Sequence, residues 1–252
     1  MSPPPYSPPS ADSVRVWRGF RLPSLAAAQF YLDLGTIFVP VTVQMQRLFH
    51  LAAYLPAVLP PVRPDGLPDE IALVFYRTQQ DYTNAALAAG GRAYSLLHSA
   101  VFNLAPGGSL SGFPTAFAGS LTREAPACLF AEPVDWQSGF AQVFVGARRP
   151  ATDPDLFLNG AQAFCQSVSQ NRPQGLEAAI MVVARDYLLF WEHWPDATAA
   201  QTSRIGDLVQ TASQVMFEPY APIAVPTGLD SAWPGLQVAG GEALNTQFDR
   251  LA

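Results

Sequence analysis

Ile71-Ala-Leu-Val-Phe-Tyr76 is an apolar run ending in an aromatic; Asp81 follows five residues later, and a helical pattern then closes on Val101-Phe102. The same order returns 115 positions on, as Leu188-Leu-Phe-Trp191, Asp196 and Met216-Phe217. A second echo lies upstream. Val16-Trp-Arg-Gly-Phe-Arg21-Leu-Pro23 and Val143-Phe-Val-Gly-Ala-Arg148-Arg-Pro150 share valine, aromatic, Gly, Arg and Pro at an offset of 127. The offset falls by twelve between the echoes, which puts an insertion of that size in the Pro-rich connector before Ile71. Internal repetition decides the architecture before any single element does.

With 252 residues, 49% of them hydrophobic, the chain can bury a large core. All fourteen basic residues are Arg. Without Lys there is no Schiff-base amine and no P-loop lysine for a nucleotide phosphate. A net charge of -6 with no basic cluster argues against nucleic acid or an anionic membrane surface as partner. Cys128 and Cys165 stand apart, outside any zinc or disulfide spacing. The apolar stretch from Leu22 to Val43 is interrupted by Gln29, Asp33 and Pro40, so no membrane span is expected, and a cytoplasmic location is.

Residues 1–13 read as a disordered Pro-rich tail and not as a signal peptide. Val14 to Arg21 reads as a strand, and a helix follows from Ser24 as N-cap, kinked or divided at Pro40. Tyr54 to Leu59 and Ile71 to Tyr76 are strands, and Leu87, Tyr94, Leu97, Val101 and Leu104 share a helical face. The second copy reads as strand Phe140 to Arg148, helix Asp155 to Ser169, strands Leu176 to Ala184 and Tyr187 to Trp194, and helix Ala197 to Phe217. Pro222 to Val225 is a candidate closing strand. The organisation is therefore a tail (1–13), a first unit (14–105), a Gly/Ser/Pro-rich bridge (106–138), a second unit (139–226) and a C-terminal extension (227–252). Each unit runs β-α-β-β-α with room for a final β, the ferredoxin-like order, in an α+β protein. Two such sheets bury their free faces against each other.

In element order, in the strand that ends in Tyr76 or Trp191, and in the helix after it, the chain resembles the dimeric α+β barrel superfamily, which includes antibiotic-biosynthesis monooxygenase-like proteins. Two units would here be fused in one polypeptide, packed as an intramolecular barrel, alone or as a homodimer. The resemblance implies a small-molecule enzyme of secondary metabolism: a cofactor-independent oxygenase or cyclase acting on an aromatic or polyketide-like substrate. It also admits a haem-binding protein with His98 or His50 as axial ligand, and a non-catalytic interaction protein. Haem-degrading members take a strand Trp and a helix His from one unit. Here those features are divided, Tyr76 and His98 in one copy, Trp191 and Ser213 in the other.

His98 lies one turn from Tyr94 and one from Phe102, on the shoulder of an apolar helix face, where it can act as general base or as haem ligand. Tyr76 and Asn84 are candidates to hold the resulting anion. Trp191, Tyr94, Phe102 and Arg92 are candidate substrate contacts. His50 reads as a helix-end residue and His193 as a strand-end residue. Arg21 and Arg148 recur with the repeat, which points to one structural contact made twice. No metal site and no Gly-x-Gly-x-x-Gly dinucleotide signature is expected.

Overall fold

The computed structural model describes residues 8–39, 41–42, 49–59, 63–211, 213–220, 237–238 and 242–243. The expected tail before residue 8, the kink at Pro40 and the closing strand at Pro222 to Val225 lie outside them.

The chain is α+β with two sheets. The first is built from β1 (Val14–Gly19), β2 (Leu51–Val58), β3 (Glu70–Tyr76) and β4 (Leu110–Gly112), ordered β2-β3-β1-β4. Between β1 and β2 lies α1 (Ala27–Asp33), extended by a π-helical turn over Leu34–Phe38. Between β3 and β4 lie α2 (Gln79–Leu87) and α3 (Ala89–Val101). After the short β5 (Thr115–Ala116) and β6 (Ala127–Cys128) come β7 (Phe140–Ala147), α4 (Pro154–Gln170), β8 (Ala178–Val183) and β9 (Tyr187–Trp194). Then come α5 (Leu208–Thr211) and β10 (Ser213–Tyr220), and these strands order as β10-β7-β9-β8. In both halves the neighbours run fourth, first, third, second, and every one of these pairings is antiparallel.

The chain following each fourth strand crosses to the other sheet. β6 pairs with β8 and carries β5 beside it, extending the second sheet. After β10, β11 (Gln237–Val238) pairs with β2 and carries β12 (Glu242–Ala243), extending the first. The two β2-type edges are thereby covered, as exposed strand edges must be.

Strand alternation sorts the side chains. Val14, Val16, Ile71, Leu73 and Phe75 of the first sheet meet Val143, Val145, Ile180, Leu189 and Trp191 of the second in one shared core. The opposite face of the second sheet packs Phe144, Met181, Phe190 and Trp194 against Phe157, Phe164 and Val168 of α4. That of the first packs Tyr54, Ala72 and Tyr76 against Phe30, Phe38, Tyr94 and Phe102. Each fully buried large side chain contributes about 1.5–3 kcal/mol. Helix α4 starts where Asp153 accepts hydrogen bonds from the Asp155 and Leu156 amides, with Pro154 in the first turn.

Three expectations need correction. The stretch expected as helix from Ala197 to Phe217 holds only two 3₁₀ turns and the four-residue α5 before becoming β10. Val215-Met-Phe217 suits a strand, and β7 offers an open edge to it. Ser213 is thus a strand residue paired with Ala147, not a helical counterpart of His98. The helix from Ser24 begins later, with Ala26 as its N-cap. The helical pattern after Asp81 is broken at Ala88, whose ψ of 153° is extended. Any side chain at Gly91 would run into the Ala85 carbonyl oxygen, so the turn from α2 into α3 depends on glycine there.

Candidate active site

The space between the outer face of the first sheet and its helices is not fully filled. It holds a cavity of about 210 Å³. By strand alternation Glu70, Ala72, Val74 and Tyr76 of β3 share its floor with Arg15 and Trp17 of β1 and Tyr54 of β2. The other wall is Phe38 and Thr42 on one side and Gly91, Tyr94 and His98 of α3, with Phe102 just past its end, on the other. Gly19 makes room for the Trp17 and Phe102 rings, since a Cβ there would lie 2.6 Å from Phe102 and 2.7 Å from the indole nitrogen.

His98 is half-buried among aromatic rings. Its centroid lies 4.4 Å from Tyr94, 5.1 Å from Phe38 and 5.6 Å from both Trp17 and Phe102. Burial pushes its pKa below the ordinary value, against the opposing pull of the Tyr94 carbonyl, so the neutral imidazole prevails near pH 7. Nδ1 stands 2.9 Å from that carbonyl. A carbonyl only accepts, so Nδ1 carries the proton and Nε2 keeps its lone pair.

Glu70 is 3% exposed, and its Oε2 accepts the Trp17 indole N–H at 3.0 Å. Burial pushes its carboxyl up to about 7, partly offset by hydrogen bonds from Trp17 and Tyr54. The Tyr94 hydroxyl is hydrogen-bonded to Thr42. Burial raises the Tyr54, Tyr76 and Tyr94 hydroxyls, so all three stay protonated and can donate. At the far end the Arg15 guanidinium lies 4.5 Å above the Tyr82 ring and donates to Ser111.

Of the residues singled out from sequence, Tyr76, Tyr94, His98 and Phe102 come together here. Asn84 and Arg92 do not. Asn84 is exposed on α2, accepting from Gln80 at 3.0 Å, and Arg92 is exposed with its guanidinium on the Leu87 carbonyl. Trp191 is 1% exposed in the core between the sheets. The reason is register. Val16 pairs with Leu73 and Val143 with Trp191, so the strand pairing equates Tyr76 with Trp194, not with Trp191. An odd shift moves every side chain to the other face.

The same pairing explains why the second half differs. Ala72 corresponds to Phe190, whose ring meets Phe164 edge-on at 5.1 Å. The volume left open above Ala72 is thus taken by aromatic rings above Phe190. Glu192 is buried on that face, its Oε2 accepting from Gln142 at 2.5 Å and Ser203 at 2.6 Å.

The remaining candidates are structural. His193 is 1% exposed and holds Glu177 at 2.9 Å and the Ser138 carbonyl at 2.7 Å. His50 sits in a turn at φ 62°, its Nδ1 3.1 Å from Asp81. Arg21 engages Asp69, and Arg148 engages Asp186 at 2.6 Å; each Asp immediately precedes the third strand of its half, so the recurring Arg does make a recurring contact. Cys128 and Cys165 are buried free thiols. Among the described residues no cluster suited to a metal ion occurs, and no helix is long and apolar enough to cross a membrane.

No known protein family matches the sequence, and no curated protein does. Solved structures with some likeness include a provisionally assigned monooxygenase of Fusobacterium nucleatum (9% identity, 85% of this chain and 91% of that one, TM-score 0.39). Another is a provisionally assigned monooxygenase of Lactobacillus acidophilus (8%, 84% and 92%, TM-score 0.35). A third is an anthrone oxidase-like protein (11%, 84% and 90%, TM-score 0.34).

Proposed function

We propose that the chain is a small-molecule enzyme of the oxygenase or cyclase type, working in the cavity of its first half. The observation that carries this is His98: a neutral imidazole whose Nδ1 proton is committed to a backbone carbonyl, leaving Nε2 as a base in an aromatic-walled cavity. Nε2 would take a proton from a phenol or from a carbon acidified by a neighbouring carbonyl. The enolate or carbanion so formed needs a hydrogen-bond donor at its oxygen, and the un-ionised hydroxyl of Tyr76 can supply it. In the oxygenase case the carbanion reduces dioxygen, one oxygen atom staying on carbon and the other leaving as water. In the cyclase case it attacks an internal carbonyl.

Neither step calls for a cofactor. In this reading the chain is a fused pair of ferredoxin-like units packed as an intramolecular α+β barrel, supported by the repeated strand order and the reciprocal crossing of the chain between sheets. One half keeps the cavity while the other fills it with Phe190.

The test is oxygen uptake with an anthrone-type substrate. Wild type is expected to consume oxygen and form the quinone, and His98→Ala to lose the activity while keeping its far-UV CD spectrum. Undiminished turnover by His98→Ala would remove His98 from the mechanism.

A further inference from the structure

The cavity is electrostatically lopsided. On the outer face of β3, Glu70 stands at one end, and Val74, paired with Arg15, stands four residues away, about 13 Å along the strand. Between them the floor is Ala72 and the Trp17 ring. The partners holding Glu70 are neutral: the Trp17 indole and the Tyr54 hydroxyl. Tyr94 also faces it, from α3. No ion pair among the described residues includes Glu70. Arg15 stays at the opposite end, over Tyr82 and on Ser111, and His98 is neutral as described.

A buried carboxylate without a counter-charge is costly, and an incoming cation relieves that cost. Aromatic faces attract cations as well, and Trp17, Tyr54 and Tyr94 surround the Glu70 end. A neutral hydrocarbon ligand would leave the Glu70 charge uncompensated.

We propose that the cavity recognises an aromatic molecule bearing a protonated amine, the ammonium group docking at Glu70 and a phenolic or enolic oxygen lying at the Tyr76 and Arg15 end. This rests on the reading of the cavity as a substrate site and narrows its substrate class. The amine fixes which way round the molecule enters, and so which oxygen meets Tyr76.

The experiment is isothermal titration of the full chain at pH 8 with two probes of the same shape, tyramine and 4-ethylphenol. Tyramine is expected to bind about tenfold more tightly or better, since a charge-assisted contact distinguishes the pair. Glu70→Gln should abolish the preference, so that tyramine binds no more tightly than 4-ethylphenol. Ala72→Phe, which puts a ring where the second half has Phe190, should abolish binding of both. Equal affinity of the two probes for wild type overturns the amine assignment, and does so whether or not Glu70→Gln folds. If that equal binding is lost in Ala72→Phe, the cavity remains a ligand site and only the substrate class falls. Binding of neither probe overturns the amine assignment; oxygen uptake with the anthrone-type substrate then tells whether the enzyme reading falls with it.

Discussion

Replacing Glu70 by Gln should stabilise the protein in alkali and do so by a predictable amount. In the folded chain the Glu70 carboxyl titrates at about 7 against an ordinary 4.5, because burial penalises the charged form. A raised carboxyl contributes stability that is fully present below the unfolded value and is lost as pH rises toward the folded one. Ionising Glu70 thus costs the folded state about 3 kcal/mol once pH exceeds 7. Gln has nearly the same shape, keeps an oxygen to accept the Trp17 N–H, and never ionises. The sequence pI of about 4.9 makes pH 5.5 a sensible lower limit for solubility. Between pH 5.5 and 8.5 the wild type should lose about 2 kcal/mol relative to Glu70→Gln. Urea unfolding followed by Trp fluorescence, with equal slopes for the two proteins, reads this difference. Other titrating groups, Glu192 among them, cancel in the comparison. A difference that stays constant over that pH range would refute the placement of Glu70 as a buried, uncompensated carboxyl.

Gly91→Ala should cost about 3 kcal/mol by urea unfolding, because the new methyl meets the Ala85 carbonyl and forces α2 and α3 apart. Turnover should rise with pH as His98 loses its proton, and since burial lowers its pKa the half-maximal point should lie below pH 6.5; a midpoint above that value would contradict the assigned environment. Added haemin should give no stoichiometric Soret shift, whereas a sharp shift lost in His98→Ala would favour a haem protein.

Much of the fold was legible because the chain repeats itself and its strands are apolar runs. Short apolar, β-rich runs located β1, β3, β7 and β9, and the repeated Gly-x-Arg-x-Pro ends of the first strands marked real partners, Arg21 with Asp69 and Arg148 with Asp186. What the repeat did not reveal was residue-level register. Tyr76 and Trp191 look alike in the sequence, yet one faces the helices and the other the sheet interface, since a shift by one residue is invisible in an apolar run. The segment after Pro195 has apolar residues at helical spacing. It becomes strand because β7 has an edge to satisfy, which is tertiary information.

In the site, His98, Tyr94 and Phe102 were readable as one helix face. Asn84 was not excluded because the break at Ala88 separates α2 from that face, and only the Gly90-Gly91 pair hinted at it. Glu70 was missed because Pro68-Asp69-Glu70 reads as a solvent loop. The signal was present nevertheless: Glu70, Ala72, Val74 and Tyr76 share one face at period two, so a Tyr76 in a pocket places Glu70 beside it. The small residue at position 72, against Phe190 in the other half, marks which half is hollow.

The most direct test of the central claim is the protonation pattern of His98 itself, read by nitrogen-15 NMR of histidine-labelled protein at pH 7, with His98→Gln to assign the signal. The structure calls for a neutral ring with its proton on Nδ1 and an unprotonated Nε2, and for a change at Nε2 when a phenol enters the cavity. A proton on Nε2, or an imidazolium at that pH, would contradict the assignment of His98 as the base.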